Sequence, residues 1–210
     1  MNAPAPEPTP RRIFQRLDTV NPYPYSLKEY ARRALWEFVG TPMIRLSFRK
    51  AAGWRRFWLR LFGGRIADSS HFKPTTRIRH PWLLKVGEHS AIAEHVEVYN
   101  LGPIEIGDHS VVSQFAHLCA GTHDYTVPSL PLLRPSIKIG SGVWVCANAF
   151  IGPGVTIGDN SMVGAAAVVT RDVPPGVIVA GNPARIIKDR PMPGLNHGNA
   201  PQAEHTSAIR

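Results

Sequence analysis

Cysteine, acidic residues and long apolar runs are all scarce in this chain of 210 residues. The two cysteines, Cys119 and Cys146, are too few for a disulfide scaffold and fit a reducing compartment. No Cys-x-x-Cys pair is present, so both read as packing residues. No apolar run approaches the roughly 18 residues of a membrane-spanning helix, which excludes a multi-span membrane protein. Met1 to Pro10 is punctuated by prolines and has no apolar stretch of the kind a secretory signal needs, so no cleaved leader is expected. A hydrophobic content of 43% excludes a wholly disordered chain and is enough for one full core.

The shortage of acid is local. The chain has 24 Lys+Arg against 15 Asp+Glu, a formal charge of +9. Residues 1–65 hold 13 of the bases and 4 of the acids, while residues 66–210 hold 11 of each. A nucleic-acid footprint would spread over the whole domain, so nucleic acid is not the expected partner. The excess marks a leader rich in tryptophan and arginine.

Residues 1–25, with Pro4, Pro6, Pro8, Pro10, Pro22 and Pro24, read as a flexible segment. Residues 26–64 read as a basic, amphipathic helical leader. Ser26-x-x-Glu29 has the form of a capping box, and Leu27, Tyr30, Ala31, Ala34, Leu35 and Phe38 recur at helical spacing until Gly40-Thr41-Pro42 ends or kinks the helix. A second helix puts Trp54, Phe57, Trp58, Leu61 and Phe62 on one face and Arg55, Arg56 and Arg60 on the other, stopped by Gly63-Gly64. Two roles fit this leader. It can cap the open end of the domain that follows, or it can make a peripheral contact with an anionic membrane, aromatics in the lipid and arginines at the headgroups.

From Ile66 a six-residue period replaces the helical one. Sets begin at Ile66, Val86, Ile106, Ile139 and Ile157, and continue through Phe72 and Ile78, Ile92 and Val98, Val112 and Leu118, Val145 and Ile151, and Val163 and Val169. An aliphatic residue, a small one and then turn-prone residues fit a coil of three short strands and three tight corners, 18 residues per turn. Stacked coils then form aliphatic ladders, each coil stable only against its neighbours. The starts are 20, 20, 33 and 18 residues apart, so two coils carry a two-residue bulge, at Leu84-Lys85 and Ile104-Glu105, and one carries an inserted loop, 124–138. Insertions in such scaffolds go to the surface and often carry function. The tail, 189–210, has no core-forming pattern and reads as disordered.

The hexad run, with Ile139-Gly140-Ser141-Gly142-Val143-Trp144-Val145, Ile151-Gly152-Pro153-Gly154-Val155-Thr156-Ile157-Gly158-Asp159 and Gly181-Asn182-Pro183-Ala184-Arg185, resembles the hexapeptide-repeat acyltransferases over residues 66–188. The leader, Tyr99-Asn100-Leu101-Gly102 and Gly121-Thr122-His123-Asp124-Tyr125 are most similar to the colanic acid acetyltransferase branch. The resemblance implies an all-β fold, a left-handed parallel β-helix at 65–188 behind an α-helical leader. It implies a cytoplasmic homotrimer with acetyl-CoA sites between subunits, O-acetylating a sugar of an exopolysaccharide precursor. Other small hydroxyl acceptors, such as serine, a free sugar or an antibiotic, and a non-catalytic β-helix trimer are the alternatives.

His123 stands at the mouth of the inserted loop. A sugar hydroxyl must lose its proton as it attacks, and imidazole, with an ordinary pKa near ~6.5, suits that task. The resemblance makes His123 the general base and Asn100, Asp124 and Tyr125 acceptor-binding candidates. It places Thr170, Arg171 and Arg185 at the coenzyme phosphates, Ala147 and Ala165 along the pantetheine arm and Trp144 near the thioester. Each has a plainer reading: Asn100 and Asp124 as turn residues, Tyr125 as loop packing, the alanines as small corner residues, Trp144 at a subunit contact. Some β-helices of this kind bind zinc, but His117 and His123, six residues apart, fall on different faces, and His89, His95 and His109 fit surface turns, so no metal is expected.

Overall fold

The computed structural model describes residues 14–20 and 24–192. Most of the segment read as flexible, and the tail beyond residue 192, lie outside the described residues.

Residues 65–189 wind into a three-faced parallel β-solenoid of five-, seven- and five-stranded sheets. The ladders are those the hexads imply. On the first face Ile66 pairs with Val86, Val86 with Ile106, Ile106 with Ile139 and Ile139 with Ile157. Phe72, Ile92, Val112, Val145, Val163 and Val179 run down the second face, and Ile78, Val98, Leu118, Ile151 and Val169 down the third. All of these side chains are buried in one column. Chain alternation explains this: on a two- or three-residue strand only one side of the pleat can face inward.

Three expectations are revised. Leu84-Lys85 and Ile104-Glu105 are not looped out. They lengthen first-face strands, Leu84 pairing with Ile104 and Ile104 with Ile137, so a second buried aliphatic row is added. The next strand therefore starts at Ile137, and the insertion shrinks to 124–136. At the C-terminal end the hairpin Val177–Gly181 and Ala184–Asp189 closes the second face, and Arg190 Nη1 donates to the Gly142 carbonyl at 2.8 Å, so ordered structure passes the 188/189 boundary. The residues after the ladder aliphatics are small because the neighbouring coil is close. A Cβ on Gly140 would sit 2.8 Å from the Asp159 nitrogen, and one on Gly107 would sit 2.7 Å from that of Ser141.

The leader holds three helices, α1 (Leu27–Leu35), α2 (Thr41–Arg45) and α3 (Ala52–Leu61). Ser26 Oγ accepts from the Glu29 N–H at 3.3 Å, half of the capping box, while the Glu29 carboxylate turns to Arg134 at 3.5 Å. Gly40-Thr41-Pro42 does not end the helix. A π-helical turn, Trp36–Gly40, joins α1 to α2, with the Thr41 N–H donating to the Trp36 carbonyl. The wider turn suits a proline that has no N–H to give. Gly40 makes room for the Trp36 ring, which a Cβ would meet at 2.1 Å.

This leader caps the solenoid. In the first coil the N–H groups of Ala67, Lys73 and Arg79 bond forward to the second coil, so the carbonyls of Ile66, Phe72 and Ile78 face the open end. Each is met by one leader side chain: Arg60, through Nε at 2.7 Å and also Nη2, on Ile66, Arg55 Nε at 2.6 Å on Phe72 and Trp36 Nε1 at 2.8 Å on Ile78. Arg56 adds a bond to the Ser70 carbonyl at 3.0 Å. An edge row of unpaired carbonyls is thereby covered on all three faces. The arginine side of α3 consequently turns toward the protein, opposite to the headgroup orientation drawn from the amphipathic pattern.

Candidate active site

The third-face strand His117–Cys119 leads into a two-stranded hairpin, Thr122–His123 against Leu132–Leu133, which carries the insertion off the solenoid. His123 pairs with Leu132 and is exposed. Its Nδ1 lies 2.6 Å from the Leu130 carbonyl. A carbonyl only accepts, so Nδ1 carries the hydrogen and the free lone pair is on Nε2, the tautomer a general base needs.

The loop is built to present that carbonyl. Leu130 turns through a positive φ of 45°. Asp124 Oδ1 accepts from the Thr126 N–H at 2.9 Å and its hydroxyl at 2.6 Å, and both bonds hold the carboxyl below its ordinary pKa. The Asp124 N–H donates to the Pro131 carbonyl at 3.0 Å. Asp124 thus shapes the loop, and the ring is oriented by Leu130. Nothing in the sequence marks a backbone carbonyl for this role. Described residues of the segment ahead of the leader brace the same loop: the Arg16 N–H donates to the Pro128 carbonyl at 2.9 Å, and Arg134 lies over the Tyr25 ring at 4.3 Å.

Asn100 corrects an expectation. It is 0% exposed, its Oδ1 accepts from the Arg79 and His80 N–H groups at 3.1 and 2.9 Å, and its Nδ2 donates to the His80 carbonyl at 2.6 Å. It clamps the end of the first coil to the second and presents nothing to an acceptor. Tyr125 is 82% exposed beside His123 in sequence, at the loop surface.

The coenzyme candidates divide between two edges of the prism. Thr170 and Arg171, both exposed, follow the strand Val168–Val169 on the third face. Val169 pairs with Ile151 and Ile151 with Leu118, so these residues share the His123 edge, two coils away. Ala147 and Ala165 lie at the corner between second and third faces, where the Ala166 N–H donates to the Ala147 carbonyl at 2.9 Å. Their small side chains leave that corner's backbone open. Trp144 is half-exposed on the second face, its Nε1 donating to Ser113 Oγ at 2.9 Å. Arg185 is exposed on the terminal hairpin, where its side chain donates to the carbonyl of Ala184 at 2.9 Å. Two exposed arginines and a bare corner suit a phosphate-bearing arm. Elsewhere, His89 stacks on His109 at 4.8 Å and His95 on Phe115 at 5.1 Å, all four at positive-φ corners.

A three-faced hexad solenoid with one oriented imidazole on an inserted hairpin belongs to the class of β-helical group-transfer enzymes. Residues 136–171 match the family described as bacterial transferase hexapeptide (six repeats). The chain is 38% identical over 156 residues, 74% of its length and 86% of the relative's, to the "Putative colanic acid biosynthesis acetyltransferase WcaF" of Escherichia coli (strain K12). Among solved structures it resembles a maltose O-acetyltransferase from Clostridium difficile 630, with TM-score 0.72 and 27% identity over 81% of this chain and 92% of that one. It also resembles a hexapeptide-repeat acetyltransferase of Vibrio cholerae O1 biovar eltor solved with acetyl coenzyme A, with TM-score 0.70 and 30% identity over 81% and 93%. The chain belongs to the hexapeptide-repeat acetyltransferase family, and its solenoid is the left-handed parallel β-helix of that family.

Proposed function

We propose that this enzyme transfers an acetyl group from acetyl-CoA to a sugar hydroxyl of an exopolysaccharide precursor, in a single direct step. The observation that carries the reading is the 2.6 Å contact of His123 Nδ1 with the Leu130 carbonyl, which leaves Nε2 as a base at an exposed hairpin. His123 Nε2 accepts the hydroxyl proton as the oxygen attacks the thioester carbonyl, backbone N–H groups stabilise the oxyanion, and the imidazolium returns the proton to the leaving thiolate. Arg171, Arg185 and Thr170 hold the coenzyme phosphates, and the Ala147 and Ala165 corner lets the pantetheine arm approach. Tyr125 contributes an aromatic surface to the acceptor side.

The working unit is a cytoplasmic homotrimer with its sites between subunits, which the separation of His123 from Ala165 on different edges supports. A leader with an excess of base and exposed aromatics supports peripheral contact with the inner face of the membrane. No described helix is long and apolar enough to cross a membrane.

Thiol release from acetyl-CoA over a panel of sugar acceptors tests the chemistry. His123→Ala should lower turnover by about 10²–10⁴ while acetyl-CoA still binds. Equal turnover of both proteins on a good acceptor would show that the base lies elsewhere.

A further inference from the structure

The leader buries Trp36, Ile44, Leu59 and Phe62 beside its capping arginines, yet leaves a further set of apolar side chains on its outward side. Phe57 and Leu61 of α3 are exposed, as are Leu35 and Phe38 of the first helical run. Trp54, 45% exposed, reaches toward Phe57 with ring centroids 6.3 Å apart. The connection between α2 and α3 also turns apolar side chains outward, Leu46 being 80% and Phe48 86% exposed. With Met43, Ser47, Ala51 and Trp54 they line a groove of about 420 Å³.

That exposure is enforced. Buried Arg55 donates from Nη1 to Ser47 Oγ at 2.9 Å and the Phe48 carbonyl at 2.9 Å, and from Nη2 to the Arg49 carbonyl at 3.0 Å. The same guanidinium is fixed to the solenoid through Phe72. The connection therefore cannot fold its two apolar side chains back onto the core. Around them stand Arg45, Arg49 and Lys50, all exposed, and none is in an ion pair among the described residues. The acids of the described leader between α1 and α3 are Glu29, paired with Arg134, and Glu37.

We propose that the segment Arg45–Lys50 is the element that docks this enzyme on an anionic lipid surface, Leu46 and Phe48 entering the acyl boundary while Arg45, Arg49 and Lys50 meet the headgroups. Apolar side chains interleaved with cations outside any ion pair are complementary to a negatively charged interface, and Trp54, which lines the same groove, adds an indole of the kind that favours the boundary. A protein partner of ordinary composition offers no such sheet of negative charge. This inference rests on the peripheral-contact reading above and replaces the arginines of α3 with a different set of cations.

Sedimentation of the full chain with vesicles of phosphatidylcholine, with and without phosphatidylglycerol, tests it. Wild type should bind the anionic vesicles, less tightly as salt rises. Replacing the three cations together, Arg45→Gln, Arg49→Gln and Lys50→Gln, should weaken binding on the order of a hundred-fold, about five-fold for each cation near the surface. Leu46→Ser with Phe48→Ser should release the protein from vesicles while its melting temperature, assembled mass and acetyl-CoA turnover stay those of wild type. Binding that is unaffected by either variant overturns the assignment to this segment but leaves peripheral contact standing. Wild type that ignores anionic vesicles overturns both. A changed assembled mass in the serine variant assigns the surface to a second copy of the chain and overturns the lipid reading.

Discussion

Among single residues, His80 shows how far burial can move a titration in this fold. Its ring is 1% exposed, its Nδ1–H donates to the Asn100 carbonyl at 3.0 Å, and it stacks on Trp82 with centroids 5.0 Å apart. Burial first, then the positive charge of Arg33, Arg134 and Arg79, opposed by the bond to Asn100, lowers its pKa to about 4. A histidine lowered on folding takes its proton in the unfolded chain first. Stability is therefore untouched above pH ~6.5, falls as the pH drops below that value, and stops falling once the folded protein protonates near pH 4. The loss amounts to at most about 3 kcal/mol. Denaturant midpoints at pH 7 and pH 4.5 should differ more for wild type than for His80→Asn, and equal differences would show that His80 does not drive the acid sensitivity. Asn100, its partner, was legible in the sequence as an acceptor-binding candidate or a turn residue, not as a clamp between coils. What it bonds depends on the preceding coil, which a motif does not display.

The lesson of the helical elements is about direction. The amphipathy of α3 is plain in the sequence, and so is its end at Gly63-Gly64, but the pattern puts the arginines toward water. The structure turns them inward because the first coil offers a row of carbonyls that only donors can cover. The buried Arg55 guanidinium places one of its four bonds on the first coil and three on the connection between α2 and α3, which offsets the cost of burying its charge. Arg55→Lys keeps the charge and loses the fork. The ammonium cannot reach Phe72 and the connection together, so about 3 kcal/mol of stability should disappear in a chemical denaturation, and Arg55→Met should be no better. If lysine proves as stable as arginine, the cap works through charge alone. The hexads, by contrast, were readable to the residue, because a ladder places every aliphatic side chain by local alternation. Leu84 and Ile104 were misjudged as bulges because periodicity measures spacing and is blind to a strand that simply runs longer.

For the whole molecule, the issue is where one site ends and the next begins. A single chain sets His123 and the Ala147/Ala165 corner on different edges of a triangular prism, and the proposed three-fold assembly would bring an edge of one copy against a different edge of its neighbour. If each site takes its base from one subunit and its pantetheine corner from the next, two inactive proteins should repair each other. Ala165 is exposed and is not itself at a positive-φ corner, so Ala165→Trp should fold while obstructing the arm. His123→Ala should fold while lacking the base. Mixed at equal amounts by co-expression, the two variants should regain about one quarter of wild-type activity, the share of sites that draw histidine from one parent and alanine from the other. Each variant alone should remain inactive. A mixture as inactive as its parents would place base and corner in the same subunit and rule out a shared site.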